Sequence, residues 1–362
     1  MDCTGPEAVA RRFGTEGPPQ RVVPHPGGHI HETWMVTAGS SEFVLQRINT
    51  MVFQDPILMM ENVMRVTSHL SQWARRRGVD PKRCPAQVLA ARDGGLLVYD
   101  DEVRPWRAFR RVPRAVSHTV VTSAAAAWEV GRAFGRFFAD VQDLPGPPLE
   151  EPIAGFKDFS RRKADFEFLI DLDPFGRADS CRRDIENVRH YHRLIKALDA
   201  ALDSGRLPQR IVHNDAKAAN ALLDEETGEA VCVVDLDTVA PGVVLFDVGD
   251  LLRSATITLA EDGDPATIGV RDNQIEAALG GYLAEAGPLL TDGERDLIPL
   301  AGPLMAYESA MRFLTDYLAG DVYFRISSPR HNLDRTRAQV RILEALDRAG
   351  DRVAALVDAG SG

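Results

Sequence analysis

Four residues in one short stretch have the types and order needed to move a phosphoryl group. The stretch, residues 210–250, reads RIVHNDAKAANALLDEETGEAVCVVDLDTVAPGVVLFDVGD, and the four are Asp215, Lys217, Asn220 and Asp235. Asp215 is a carboxylate that can accept or orient the proton of an attacking hydroxyl. Lys217 can put an ammonium on the migrating phosphoryl. Asn220 offers an amide oxygen and Asp235 a carboxylate, the hard-oxygen donors that Mg2+ takes while waters and phosphates complete its shell. Such transfer needs positioning and charge neutralisation more than covalent help. The plainer reading, polar residues at strand ends, leaves this ordered set between apolar runs as coincidence.

These side chains need a frame. Asn220-Ala-Leu-Leu and the valine-rich run at 230–234 flank the turn Glu225-Glu226-Thr227-Gly228, which predicts two antiparallel strands. The hairpin would bring Asn220 and Asp235 to one end, with Asp215 on the loop beside them. His213 reads as a buried hydrogen-bonding partner, and Asp237 as a support for the ligands or a solvent-facing group. Asp247, after an apolar run, is expected to brace the loop by accepting backbone N–H bonds. Asp250 is expected to cap the next helix.

Upstream, RVVPHP, HETWMVTA and SEFVLQRIN read as three β segments, with turns at Pro26-Gly27-Gly28 and Gly39-Ser40-Ser41. A glycine turn between strands suits a cover over ATP phosphates, although any hairpin can carry one. His29 and His31 fall on one strand face, and His25 lies nearby. With no third ligand in view, lining a substrate pocket is the preferred reading over a metal site. Asp55-Pro56 opens a helix with an apolar stripe at Met59, Val63, Val66, Leu70 and Trp73, closed by Arg75–Arg77 and Gly78. A second hairpin, VLAAR–DGG–LLVYDD, and the strand WRAFRRV complete a small lobe over residues 1–112. The second lobe, 113–362, reads as mainly helical. It includes a helix from Ser123 to Leu144 with Trp128, Phe134, Phe137, Phe138 and Val141 toward a core, helical sequence over 157–204, and three helical segments in 270–360. The expected class is α+β, two lobes with a catalytic hairpin.

With 362 residues, 44% apolar and 26% charged, the chain is long enough for two cores. No apolar run reaches the ~18 residues of a membrane span, and the start lacks the apolar core of a signal peptide. Four scattered cysteines without metal or scaffold spacing fit a reducing cytoplasm. A net charge of −11 argues against nucleic acid or an anionic membrane as partner. The expectation is a cytoplasmic monomer or weak dimer acting on small molecules.

HNDAKAAN, followed by VVDLD and LFDVGD, resembles the motif of the aminoglycoside phosphotransferase/choline kinase family, whose fold is protein-kinase-like. GGHIHETWMV, FVLQRINTMVF, IVHND, AMRFLTDYLAGDVYF and HNLDRTR are similar, in order over most of 21–345, to the N-acetylhexosamine 1-kinase branch. The resemblance implies a bilobal fold, ATP as donor, Mg2+, and the anomeric hydroxyl of N-acetylglucosamine or N-acetylgalactosamine as acceptor. It implies Asp215 as base and Asn220 and Asp235 as magnesium holders. It places the adenine hinge at Arg111 and Val112. It makes His31, Arg312 and Tyr323 sugar contacts, against plainer readings in which Arg312 pairs with an acid such as Asp316 and Tyr323 is core.

Two departures from the kinase pattern stand out. The strand FVLQRIN has no phosphate-binding lysine, and the glycine turn is not G-x-G-x-x-G. Gln46 stands in the lysine's place while Arg47 carries the charge; strand alternation sends them to opposite faces, so only one can serve. Two other readings stay open. One is an aminoglycoside or other small-molecule hydroxyl kinase, which would want carboxylates where Arg312 brings positive charge. The other is a non-catalytic nucleotide or sugar binder, against which the intact Asp215, Asn220 and Asp235 argue.

Overall fold

The computed structural model describes residues 5–15, 17–25, 30–260 and 263–360. The expected phosphate-covering turn Pro26-Gly27-Gly28 and His29 lie outside these. The chain forms two compact units: Met1–Ala115 with Asp143–Ala154 and Cys232–Ala240, and Val116–Gln142 with Gly155–Val231 and Pro241–Gly362. The sequence reading placed one cut near Val112; the first unit also takes two later segments, one of them the end of the predicted hairpin. Among the described residues no helix is long and apolar enough to cross a membrane.

The first unit is built on an antiparallel sheet. Its elements are α1 (Pro6–Ala10), β1 (Pro19–Pro24), β2 (Glu32–Ala38), β3 (Ser41–Arg47), α2 (Pro56–Arg76), β4 (Val88–Leu89), β5 (Val98–Tyr99) and β6 (Pro105–Arg110). The strand order is β1-β2-β3-β6-β4, with β5 also on β6. Alternation places Val36 and Ala38, Phe43 and Leu45, and Trp106 and Ala108 in one apolar core. Asp55 caps α2, accepting from the Ile57 and Leu58 amides at 3.1 and 2.9 Å. Met59, Val63, Val66 and Leu70 are buried as the stripe predicts, and Ala74 rather than Trp73 takes the last core position. The expected second hairpin is not one. β4 and β5 are two-residue strands that pair with β6 instead of each other. Pro105 to Ala108 are buried without alternation, so β6 is covered on both faces and carries Arg107 inside.

The second unit holds most of the helices. The remaining elements, of which β7, β10 and β11 each lie partly in the first unit, are in chain order β7 (Ala115–Ser117), α3 (Ala124–Val141), α4 (Phe159–Leu172), α5 (Arg182–His190), α6 (Arg193–Asp203), β8 (Arg210–Val212), β9 (Ala221–Asp224), β10 (Ala230–Val233) and β11 (Ala240–Gly242). Then follow α7 (Val244–Ala255), α8 (Asp272–Ala286), α9 (Asp292–Leu318), α10 (His331–Arg348) and α11 (Gly350–Ala359). The predicted hairpin is β9–β10, closed by the Asp224 amide on the Glu229 carbonyl at 2.8 Å. Phe134, Phe137, Phe138 and Val141 of α3 are buried, but Trp128 is 40 % exposed. Four helices follow residue 270 where three were expected, because α10 stops at Ala349 and α11 restarts at Gly350. Every residue of α7 is buried. Asp247, Asp250 and Ser254 recur along it at steps of three and four and are buried with the rest, so its polar stripe faces protein and not solvent. Asp250 lies inside α7, not at its start, which corrects its reading as a cap.

Candidate active site

The second unit assembles Asp215, Lys217 and Asn220. After β8 the chain turns at Asn214, whose φ of 62° is the left-handed region that asparagine tolerates. That turn aims two successive amides at Asp247: His213 N–H to Oδ2 and Asn214 N–H to Oδ1, both 2.8 Å. The Ala218 amide donates to Ser254 Oγ at 2.8 Å. α7 thus holds the loop at two points, and the bracing role expected of Asp247 is what the geometry contains. Burial pushes the Asp247 carboxyl up to about 6, against the opposing pull of His213 and the two amides. The His213 ring is fully buried between Phe134 and Phe137, with centroids at 5.5 and 5.4 Å.

Lys217 Nζ lies 2.6 Å from Asp215 Oδ2, and Asn220 Nδ2 donates to the same oxygen at 3.0 Å and to the Asp215 carbonyl at 2.9 Å. With Nδ2 committed to Asp215, the Asn220 amide would present Oδ1 to a cation, as an oxygen-seeking Mg2+ requires. Burial would raise the Asp215 carboxyl, but the charge and hydrogen bond of Lys217, then His213 and Lys157, hold it below the ordinary carboxylate range. It is therefore ionised at neutral pH and suited to orienting a hydroxyl.

Near Asp215 the sequence reading missed a buried cluster. Glu308, 1 % exposed, sits 3.3 Å from Arg162 and 3.6 Å from Arg312. Asp250 sits 3.5 Å from Lys157 and 3.0 Å from Arg253. Burial raises the Glu308 carboxyl, yet Arg312, Lys157, Arg162 and Arg253 together bring it below its ordinary value. Burial and then Arg312 lower Arg162 to about 10, so it stays charged at neutral pH. Four cations face two carboxylates here. Arg312 therefore pairs with Glu308, one turn back, and not with Asp316. Asp316 instead accepts the Val322, Tyr323 and Phe324 amides at 2.9, 2.8 and 3.0 Å and shapes the loop after α9. The Arg312 guanidinium lies 5.6, 5.5 and 5.3 Å from the Phe156, Tyr323 and Phe324 rings. Tyr323 is 44 % exposed, so it is a rim residue and not core. Lys157, Arg162 and Glu308 come from separate elements, and no local spacing links them.

The first unit contains Asp235, in the left-handed region at φ 63°, with Asp237 two residues on. Asp237 is paired with both terminal nitrogens of Arg107, one at 2.6 Å, and with His31 Nε2 at 2.8 Å. Burial raises its carboxyl, but Arg107 and then His31 take it well below the carboxylate range. Since the Asn49 amide donates to His31 Nδ1 at 3.1 Å, Nε2 carries the proton. Both ring nitrogens are engaged, which assigns His31 to Asp237 and not to a sugar. Gln46 and Arg47 do face opposite ways, yet neither presents itself to a phosphate. Gln46 bonds Thr33 Oγ1 at 3.3 Å and accepts from Arg107 Nε at 3.0 Å. Arg47 pairs with Glu32 and lies 5.9 Å over Trp106. At the expected hinge the Arg111 amide is already bound to the Glu42 carbonyl at 3.1 Å, while Val112 is buried.

Comparison with known proteins bears on the family and the fold. The profile of the "Phosphotransferase enzyme family" matches residues 21–288. Among solved structures, an aminoglycoside phosphotransferase from Alicyclobacillus acidocaldarius superposes with a TM-score of 0.57 at 14% identity, over 99% of this chain and 98% of that one. A spectinomycin phosphotransferase solved with ADP and spectinomycin gives 0.54 at 10%, over 94% and 92%. A choline kinase from Streptococcus pneumoniae gives 0.53 at 11%, over 91% and 94%. At such identities the likeness is one of fold: a sheet-based N-terminal part and a helical C-terminal part, the protein-kinase-like architecture.

Proposed function

Because the chain belongs to the phosphotransferase enzyme family, we propose that it transfers the γ-phosphoryl of ATP to the anomeric hydroxyl of an N-acetylhexosamine, giving the sugar 1-phosphate. The observation that carries this reading is the setting of Asp215: an ionised carboxylate bonded to Lys217 and Asn220, beside a cluster with more cations than carboxylates. Asp215 orients the acceptor hydroxyl and takes its proton as the bond to phosphorus forms. Lys217, on the same loop, offsets charge on the migrating phosphoryl. Asn220 and Asp235 would hold Mg2+, which when bound neutralises the donor phosphates. Val112 and the Arg111 carbonyl are the hinge groups for adenine, and the ADP held by a structural neighbour supports a nucleotide donor.

The acceptor preference follows from charge. Lys157, Arg162, Arg253 and Arg312 outnumber Glu308 and Asp250, and an ammonium entering such a site meets net repulsion. A neutral sugar brings hydroxyl and amide oxygens that accept from guanidinium groups, and Tyr323 beside Arg312 offers a ring face. A panel of N-acetylhexosamines, amino alcohols and aminoglycosides with ATP, followed by mapping of the phosphorylated atom, tests this. The expected product is an N-acetylhexosamine 1-phosphate. Preferential phosphorylation of a cationic acceptor, or of any other sugar oxygen, overturns it.

A further inference from the structure

One buried ion pair has no part in the chemistry just described. Arg107 is 1 % exposed and Asp237 2 % exposed, and they meet through both terminal guanidinium nitrogens and both carboxylate oxygens. Arg107 stands opposite Gln46 in the β3–β6 register, directly beside the place a phosphate-binding lysine would occupy. It does not point outward. Nε donates to Gln46, the Phe109 ring lies 4.9 Å from the guanidinium carbon, and Nη1 approaches the Met60 sulfur at 3.7 Å. Thr33 on β2 extends the chain of bonds through Gln46, and His31 closes the other side of Asp237. Arg107 from β6 and His31 from the segment before β2 therefore meet at one carboxylate, with Gln46 of β3 and Thr33 of β2 behind Arg107. That carboxylate follows Asp235 by two residues in a short 3-10 turn, Leu236–Thr238, that opens with Asp235 in the left-handed conformation.

We propose that Arg107, backed by Gln46 and His31, is a positioning residue: its pair with Asp237 fixes the turn that orients the Asp235 carboxylate toward a divalent cation bound with the nucleotide. A rigid bidentate pair suits this task, because a planar guanidinium fixes both distance and angle where an ammonium would fix only distance. The inference rests on the proposed role of Asp235 as a metal holder. It assigns the cation beside the missing lysine to the protein's own carboxylate and not to the donor phosphates.

Removing one partner alone would strand a buried charge and unfold the unit, so the test removes both. A buried ion pair exchanged for apolar residues of similar volume often leaves stability intact. In the full-length Arg107→Met/Asp237→Leu double variant, the thermal melt is checked first. Hydrogen exchange of the 235–238 amides and the Kd of Mn2+ in the presence of ADP, by calorimetry, are then compared with the parent. The inference expects a near-parental melt, exchange at least tenfold faster, and a Mn2+ Kd raised at least tenfold. Parental exchange and parental Mn2+ Kd in the folded double variant overturn it. Asp235→Asn separates the two readings. An unchanged Mn2+ Kd in that variant, with accelerated exchange in the double variant, removes the metal role from Asp235 while Arg107 still holds the turn.

Discussion

At the residue scale, what a side chain does here is set by what opposes it. Asp215 and Asp247 are both carboxylates braced within one loop system, yet Lys217 keeps the first ionised while burial lifts the second to about 6. A folded-state value above the unfolded one means that the stability linked to Asp247 is fully present below about pH 4. It is lost as pH rises through about 6, up to about 3 kcal/mol in all. Asp247→Asn removes that dependence and also turns an amide NH2 toward one of the two backbone donors. The variant is therefore less stable than the parent, with a deficit largest near pH 4 that shrinks by up to about 3 kcal/mol by pH 7. Denaturant unfolding at the two pH values measures it; a deficit that grows with pH would show Asp247 already ionised in the folded chain. Asp215, Lys217 and Asn220 were legible in the sequence because one loop carries them all. The pairing of Arg107 with Asp237, 130 positions apart, was not, since nothing local says that a buried arginine of one strand has its carboxylate in another segment. The one local hint was the arginine itself, in a strand that turned out to be covered on both faces.

At the element scale, α7 matters more than its sequence suggests. It supplies Asp247 and Ser254 to the loop, and its own position depends on Gly249. A Cβ there would lie 2.3 Å from the Ala301 carbonyl oxygen and 2.4 Å from Met305 Cγ. Since one of those contacts is backbone, α9 must move away to admit it. Gly249→Ala is expected to cost about 2–3 kcal/mol by overpacking and to lower kcat as well, because the displaced helix carries the loop braces. A change in unfolding free energy below about 0.5 kcal/mol would contradict that packing account. The strands, α2 and α3 were readable from alternation, from the Asp55 cap and from apolar stripes. The hairpin predicted over VLAAR–DGG–LLVYDD failed because β6 draws both short strands to itself. The buried α7 was not foreseen as a helix, because Asp247 and Asp250 were read singly, as a loop brace and a cap, and not as one helical stripe.

At the scale of the molecule, net charge and local charge point in different directions. The chain carries −11 overall, while the cluster around Glu308 holds four cations against two carboxylates. Composition described the first and was silent on the second, which only folding brings together from Lys157, Arg162, Arg253 and Arg312. The family match fixes phosphoryl transfer as the class of reaction, and the central claim is that Asp215 is the group that serves the acceptor hydroxyl. The most direct test compares Asp215→Asn with the parent for turnover of ATP and N-acetylglucosamine and for the Kd of ADP. The account predicts that kcat falls by at least about 10²-fold while ADP binds as it does to the parent. A variant retaining kcat within tenfold of the parent would contradict it.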